Sequence, residues 1–374
     1  MDICAIICEL NPLHNGHAYL IESARRLTGC DAVLLIMSGS FTQRGEMCIL
    51  DKYVRARHAI LSGADAVIEL PAPFAVAPAE IFARGAVKIL SSIPDVKSLC
   101  FGCEEVADFG AVAKYLSDED GAFRERLSSL LENGEGYAFA YSKAAEKYSG
   151  LLSSPNNILA VEYAKANLKE GSRLALFPVK RQGNGYHSEK LSGKFASARA
   201  IRGNLHCLDT AAFVPDFVFD DLKQAEDRTE RFKQLAADCL FFADKQKLKG
   251  IYGCSEGLEN RLKNLSMGLS FDEIIEKCTN KRYSSTRIRR IICANMLSSD
   301  RKCADEALTK RLPVKVLAVR KPLAASILPL LSSDGDDDEC VKRLTAITDD
   351  SYRIWRYINY PHGEDNVNQK MILV

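Results

Sequence analysis

Residues 3–17 read Ile3-Cys4-Ala5-Ile6-Ile7-Cys8-Glu9-Leu10-Asn11-Pro12-Leu13-His14-Asn15-Gly16-His17. The opening apolar run has the length of one buried strand. Asn11-Pro12 predicts a tight turn, and a helix is expected to start at the histidines. His14 and His17, at i and i+3, share a helical face. Backbone N–H groups and the positive end of the helix dipole gather at such a place, which suits phosphate. Two imidazoles there can donate hydrogen bonds to a polyphosphate, and to the charge that builds as its α-phosphorus is attacked. Gly16 is read as letting a ligand approach the backbone closely. The plainer reading, a helix start with two surface histidines, does not explain why strand, turn and spacing all agree.

The pattern continues outward from this stretch. Ala32–Met37, Ala66–Leu70, Ser98–Phe101 and Leu174–Val179 read as further short apolar strands. Gly16–Leu27, Lys52–Ser62 and Ala79–Ile93 read as the intervening helices, and residues 106–148 look helical. Strands alternating with helices predict an α/β fold, a doubly wound parallel sheet covered on both faces. We expect this doubly wound unit to occupy residues 1–205, followed by a mainly helical, basic unit over 206–374. In the second half, Val314–Val319 and Met371–Val374 read as strands and Ser351–Tyr357 as a helix. Asp334-Gly335-Asp336-Asp337-Asp338-Glu339 lacks the spacing of a calcium loop and reads as a solvated surface.

The chain has 374 residues and a net charge of +1, so overall charge decides nothing about nucleic acid. Its distribution is more telling: between Lys281 and Lys321 lie twelve lysines and arginines against Asp300, Asp305 and Glu306. Such an excess fits a phosphodiester backbone, although a solvated basic helix face is the ordinary alternative. Thirteen cysteines, several in apolar runs, point to reduced thiols and a cytoplasmic protein. Cys100 and Cys103 have CxxC spacing without a second pair, so no metal site is expected. No signal peptide and no membrane span are read from the sequence.

Other candidate groups follow strand ends, where ligands collect in open parallel sheets. Ser38-Gly39-Ser40-Phe41-Thr42-Gln43-Arg44-Gly45-Glu46 reads as a substrate loop, with a surface turn as the ordinary alternative. Lys52, opening the next helix, is a candidate for the triphosphate, with an ordinary solvated lysine as the alternative. Gly102 leaves room for adenine or ribose, with a simple strand-to-helix turn as the alternative. Asn156 and Asn157 stand at a helix start, where one cap suffices and the other side chain can face a ligand. Arg181 follows the fifth strand as a phosphate contact, and Tyr186-His187-Ser188 comes soon after. Two Ser-rich motifs end in arginine. Ser197 to Arg202 is assigned to the leaving phosphates because it closes the sheet unit; Tyr283 to Arg290 is assigned to RNA, with Arg282, Arg287, Arg289 and Arg290 as backbone contacts.

With these residues placed, His14-Asn15-Gly16-His17 is similar to the HxGH signature of nucleotidyltransferases and some aminoacyl-tRNA synthetases. The chain as a whole resembles the bacterial tRNA(Met) cytidine acetate ligases. The likeness is carried by Glu9–His17, Met37-Ser38-Gly39 with Gln43-Arg44-Gly45-Glu46, Val67–Pro71, Ile81–Gly85, Pro155–Leu159 and Ser284–Arg287. Leu10 and Leu13 stand where aromatics are expected, and Cys103 where serine is. The resemblance implies that acetate is activated with ATP to acetyl-adenylate, then passed to the wobble cytidine of elongator tRNA(Met), giving N4-acetylcytidine. It implies an ATP site made of Ile7, Cys8, Glu9, Leu10, Asn11, Pro12, Leu13, His14, Asn15, Gly16, His17, Ala18, Tyr19 and Leu20. Gly102, Arg181 and one of Asn156 and Asn157 complete it, with Asn157 preferred. Mg2+ would arrive on the ATP phosphates, and the acetate that the resemblance implies is expected in a small acyl pocket near Ser38-Gly39.

The other readings are a nucleotidyltransferase adenylating a phosphorylated metabolite, of the NAD or coenzyme A type, and a non-catalytic RNA-binding module. The large second half disfavours the first, and the intact histidine pair the second.

Overall fold

The strands form where continuous apolar runs are bounded by turn residues. The computed structural model describes residues 1–117, 121–182, 191, 195–360 and 370–374. It contains β1 (Ile3–Cys8), β2 (Ala32–Ser38), β3 (Ala66–Leu70), β4 (Val96–Cys103), β5 (Ala175–Lys180), β6 (Val316–Val319) and β7 (Ile372–Leu373). These make one seven-stranded sheet in the order β5-β4-β1-β2-β3-β6-β7. The first five strands are mutually parallel, β6 runs antiparallel to β3, and β7 is parallel to β6. Strand order reverses around β1, which pairs β2 on one side and β4 on the other. The crevice beyond the carboxyl ends of β1 and β4 is therefore where a ligand belongs.

Alternate residues feed two cores. Cys4, Ile6, Val33, Leu35, Met37 and Val67 face one, together with Ile21 and Ala24 of the helix Asn15–Thr28 and Tyr53 and Ala56 of the helix Lys52–Leu61. The same core runs on into the helical second half through Phe232, Phe271, Ile288 and Ile291. Ile3, Ala5, Ile7, Leu34, Ile36 and Ile68 face the other, against the helices Ala79–Ser91 and Pro155–Lys169. The 21-residue helix Glu339–Asn359 reaches both cores. Its Val341, Leu344 and Ile347 join the second, while Tyr352, Trp355 and Ile358 join the first.

Two expectations are corrected here. The sheet does not end near residue 205, because β6 and β7 from the C-terminal third pair onto its β3 edge. Residues on both sides of the boundary expected between 205 and 206 share one core. The helix expected over Ser351–Tyr357 is three times longer and starts at Glu339, capped by Asp338 of the acidic loop. That loop is neutralised by its surroundings, with Lys310 2.8 Å from Asp338 and Lys342 2.6 Å from Asp337.

Candidate active site

The carboxyl end of β1 leads through Glu9, Leu10 and a cis Asn11-Pro12 bond into the histidine helix. The Asn11 side chain clamps the far wall of the crevice: its Oδ1 accepts from Ile49 N–H (3.0 Å) and its Nδ2 donates to Met47 O (3.4 Å). Arg55, fully buried, ties the two strand ends together by donating to Glu9 O (2.7 Å) and Ser38 O (3.1 Å). Sequence reading missed Arg55. The available signal was an arginine on the core-facing side of a helix, beside Tyr53, Ala56 and Ala59.

His14 is the N-cap of its helix. Its Nδ1 accepts from Gly16 N–H at 3.1 Å, and His17 Nδ1 accepts from His14 N–H at 3.3 Å, a capping box built from two imidazoles. The rings stack with centroids 3.8 Å apart. Because each Nδ1 is an acceptor, each neutral ring carries its proton on Nε2, which is free to donate. Burial pushes both pKa values down, His14 well below the usual range and His17 to about 3, with the neighbouring Arg181 cation adding to the effect. Gly16 has a different purpose from the one read in the sequence. A Cβ there would lie 2.9 Å from His14 Cε1 and 3.0 Å from its Nδ1, so glycine makes room for the folded-back imidazole.

The histidines line a cavity of about 330 Å³ with Glu9, Leu10, Thr42, Gln43, Arg44, Glu46, Phe101 and Tyr163. Its neighbour of about 240 Å³ shares His14, His17, Leu20, Gly102, Arg181 and Ser197 with it, and adds Gly16, Tyr19 and Glu104. Together they have the capacity of a nucleotide-sized ligand. Glu9 Oε1 accepts from Gln43 N–H at 2.7 Å, and burial raises its carboxyl pKa. Burial also pushes the Cys8 thiol up, so it supplies no nucleophile. Arg202 lines the cavity with its charge already engaged, donating to Asn11 O (2.9 Å) and pairing with Glu46 (2.7 Å). Ser197 caps the short helix Ala198–Arg202 by accepting from Ala200 N–H at 3.1 Å.

The structure gathers Ile7, Cys8, Glu9, Leu10, Asn11, His14, Gly16, His17, Tyr19, Leu20, Gly102, Asn156, Arg181, Ser197 and Arg202 around the two cavities. It does not bring all expected residues there. Pro12 and Leu13 are buried within the turn, and Asn15 and Ala18 line a separate groove with Glu22 and Arg26. Asn156 lines the cavity, whereas Asn157, the residue preferred from the sequence, does not. Asn157 is fully buried, and its Oδ1 accepts from Glu104 N–H (2.9 Å) and Glu105 N–H (3.3 Å), bracing the turn after β4.

Lys52 is also corrected: its side chain is 0% exposed and its Nζ lies 2.8 Å from both oxygens of Glu69, whose side chain is 1% exposed. It is spent on a buried pair and does not line the cavity. Ser38 and Gly39, where the acyl pocket was expected, do not line it either. Tyr186-His187-Ser188 lies outside the described residues.

The second Ser-rich motif is split by the fold. Arg282 is exposed, whereas Arg287 is half-buried and donates to Gly253 O at 2.7 Å. Arg289 and Arg290 instead back the substrate loop: Arg289 is 3.5 Å from Glu46, and Arg290 reaches Gln43 O at 3.4 Å. Gly45, at φ +70°, is needed for this approach, because a Cβ would fall 2.6 Å from the Arg289 backbone carbon. The basic stretch is likewise dispersed. Lys310, Lys315 and Arg320 are paired to Asp338, to Glu69 with Asp349, and to Asp65. Among the described residues no cluster of three or more His, Cys, Asp or Glu side chains forms a metal site, and no helix is long and apolar enough to cross a membrane.

The neutral histidines give a testable pH dependence. The unfolded chain protonates them near the ordinary value, whereas the fold resists, so their burial costs stability increasingly as pH falls below about 6.5. In ¹⁵N NMR of the ligand-free protein at pH 5.5, both rings are expected to show protonated Nε2 and unprotonated Nδ1. Doubly protonated rings at that pH would contradict the buried arrangement.

Residues 1–329 match the family model for HIGH Nucleotidyl Transferase. The tRNA(Met) cytidine acetate ligase of Clostridium novyi is 35% identical over 331 residues, covering 84% of this chain and 83% of the relative. That of Acetivibrio thermocellus is 33% identical, covering 82% and 79%. Thermotoga maritima TmcAL in its apo form superimposes over the full length of both chains with a TM-score of 0.89 at 25% identity. A second crystal form, bound with alpha-thio ATP, gives the same TM-score at 24% identity and the same fold.

Proposed function

Because this chain belongs to the HIGH nucleotidyl transferase family, and within it to the tRNA(Met) cytidine acetate ligases, we propose that its crevice activates acetate with ATP and acetylates the wobble cytidine of elongator tRNA(Met). The observation that carries the reading is the pair of neutral, stacked imidazoles whose Nε2–H groups remain as donors at the carboxyl end of β1.

ATP lies across the two cavities, its triphosphate near His14, His17 and Arg181, its nucleoside toward Gly102 and Asn156. An acetate oxygen attacks the α-phosphorus, the bond to the bridging oxygen breaks, and pyrophosphate leaves with the electron pair. His14 and His17 donate to the phosphate oxygens as charge develops, an electrostatic contribution that requires no covalent nucleophile. The exocyclic amine of cytidine then attacks the acetyl carbonyl, AMP leaves, and the amine proton is lost. Neutral imidazoles suit this task, since they donate without a fixed charge that would bind ground-state ATP and the leaving pyrophosphate alike.

Magnesium comes with the triphosphate. Glu9 and Glu46, the carboxylates of the larger cavity, are poorly placed to hold it, Glu9 being bound to Gln43 N–H and Glu46 shared between Arg202 and Arg289. Acetate is assigned to the wall formed by Thr42, Gln43 and Arg44, in place of Ser38-Gly39. The thirteen free cysteines, most of them buried, fit the reducing cytoplasm.

Incubating unmodified tRNA with the protein, ATP and acetate should add one acetyl mass to cytidine, read by mass spectrometry of the digested RNA. ATP–pyrophosphate exchange should require acetate. Exchange that ignores acetate and depends on a nucleotide or pantetheine phosphate would overturn the reading. For the RNA, Arg282 and Arg287 are the contacts retained from the second Ser-rich motif. Replacing both with alanine should weaken tRNA binding, lower its salt slope by roughly two, and leave exchange intact. Arg290→Ala should slow exchange as well, because its guanidinium touches the substrate loop.

A further inference from the structure

One wall of the cavity is the chain between β2 and the helix Lys52–Leu61. Residues 39–51 have little regular structure beyond a bridge between Phe41 and Met47, yet they hold Thr42, Gln43, Arg44 and Glu46 at the cavity. Reacting groups must be held to a fraction of an ångström, so such a segment needs outside support. Asn11 and Arg55 supply part of it from the sheet side.

The remainder comes from a helix more than 280 residues away in sequence. Trp355 Nε1–H donates to Cys48 O at 2.6 Å, Tyr352 OH donates to Asp51 Oδ2 at 2.7 Å, and Asn359 Nδ2 reaches Met47 Sδ at 3.7 Å. Positions 352, 355 and 359 recur at i, i+3 and i+7, so one face of the C-terminal helix runs along the loop. Trp355 is 2% exposed and stacks on Tyr352, their ring centroids 6.2 Å apart. None of these three side chains lines the cavity.

We propose that Trp355 is a positioning residue for acetate activation: through the Cys48 carbonyl it fixes the loop that presents Thr42, Gln43, Arg44 and Glu46 to the reacting groups. The identity of the reaction rests on the ligase reading above; the brace itself rests on the contacts just described.

Trp355 is the single tryptophan of the chain, so its fluorescence reports this contact directly. Titrating the intact protein with ATP should change the emission saturably. Trp355→Phe keeps a ring in the core and removes the donor. It is expected to melt within a few degrees of wild type, bind tRNA unchanged and keep its KM for ATP within about twofold, while kcat for acetate-dependent exchange falls about tenfold. A folded Trp355→Phe variant with wild-type kcat would overturn the proposal. Should that variant not fold, Tyr352→Phe combined with Asn359→Ala leaves the tryptophan in place, and the same fall in kcat at unchanged melting temperature is expected; wild-type kcat there would also overturn it. Wild-type protein without acetate-dependent exchange would count against the ligase reading, whereas tryptophan emission indifferent to saturating ATP would count against the brace.

Discussion

Replacing His17 with alanine is expected to slow acetate-dependent ATP–pyrophosphate exchange ~100-fold or more, the usual loss when one donor to a developing oxyanion is removed. The change should fall on kcat more than on the KM for ATP, because a neutral imidazole stabilises the charge of the transition state more than that of bound ATP. His14→Ala should cost activity and also stability. His14 caps its helix and accepts from Gly16 N–H, and losing an N-cap costs about 1 kcal/mol. Stopped-flow or exchange kinetics with thermal melts of both variants would separate these roles. A His17→Ala enzyme within threefold of wild type would remove the ring from the reaction.

The second large effect concerns stability. Glu69→Ala leaves Lys52 buried without its partner, and also removes a contact 3.5 Å from Lys315. Breaking one side of a buried ion pair costs about 3–5 kcal/mol, to be read from denaturant midpoints at constant slope. Burial already presses the Lys52 pKa downward while Glu69 pulls it up, so removing Glu69 takes away the main opposing influence and leaves burial and the nearby Lys315 cation pressing it down. The double replacement Lys52→Met with Glu69→Leu removes both charges together and should recover most of the loss, since apolar substitutes for a whole buried pair are often neutral. It should also retain exchange. A folded double variant without exchange would return Lys52 to the triphosphate.

The contrast between His17 and Lys52 shows what the sequence can express. Both were read as phosphate contacts at a helix start. The histidine pair carries local information, because spacing, turn and helix place both rings at one point whatever the rest of the chain does. The position of Lys52 depends on Glu69, on another strand, and no local pattern announces that partner. The five parallel strands were legible for the same local reason, as unbroken apolar runs between turn residues. β6 and β7 were legible as strands, but β6 pairs with β3 about 250 positions away in sequence, and β7 then adds to β6. The choice between Asn156 and Asn157 turned on which side of the first helical turn faces the strand end, a rotation that adjacent identical residues cannot encode. The first half of the C-terminal helix was hidden by the acidic run, whose Asp338 turned out to be its cap.

The core shared between the nucleotide-facing sheet and the later helices has a bearing on how this protein can diversify. A lineage that needs a different RNA partner cannot exchange the distal half like a cartridge, because the replacement would have to regenerate two strands and the packing beneath the catalytic wall. New substrate preference is confined to side chains on the outward surfaces of those helices, while their inner surfaces are inherited with the chemistry.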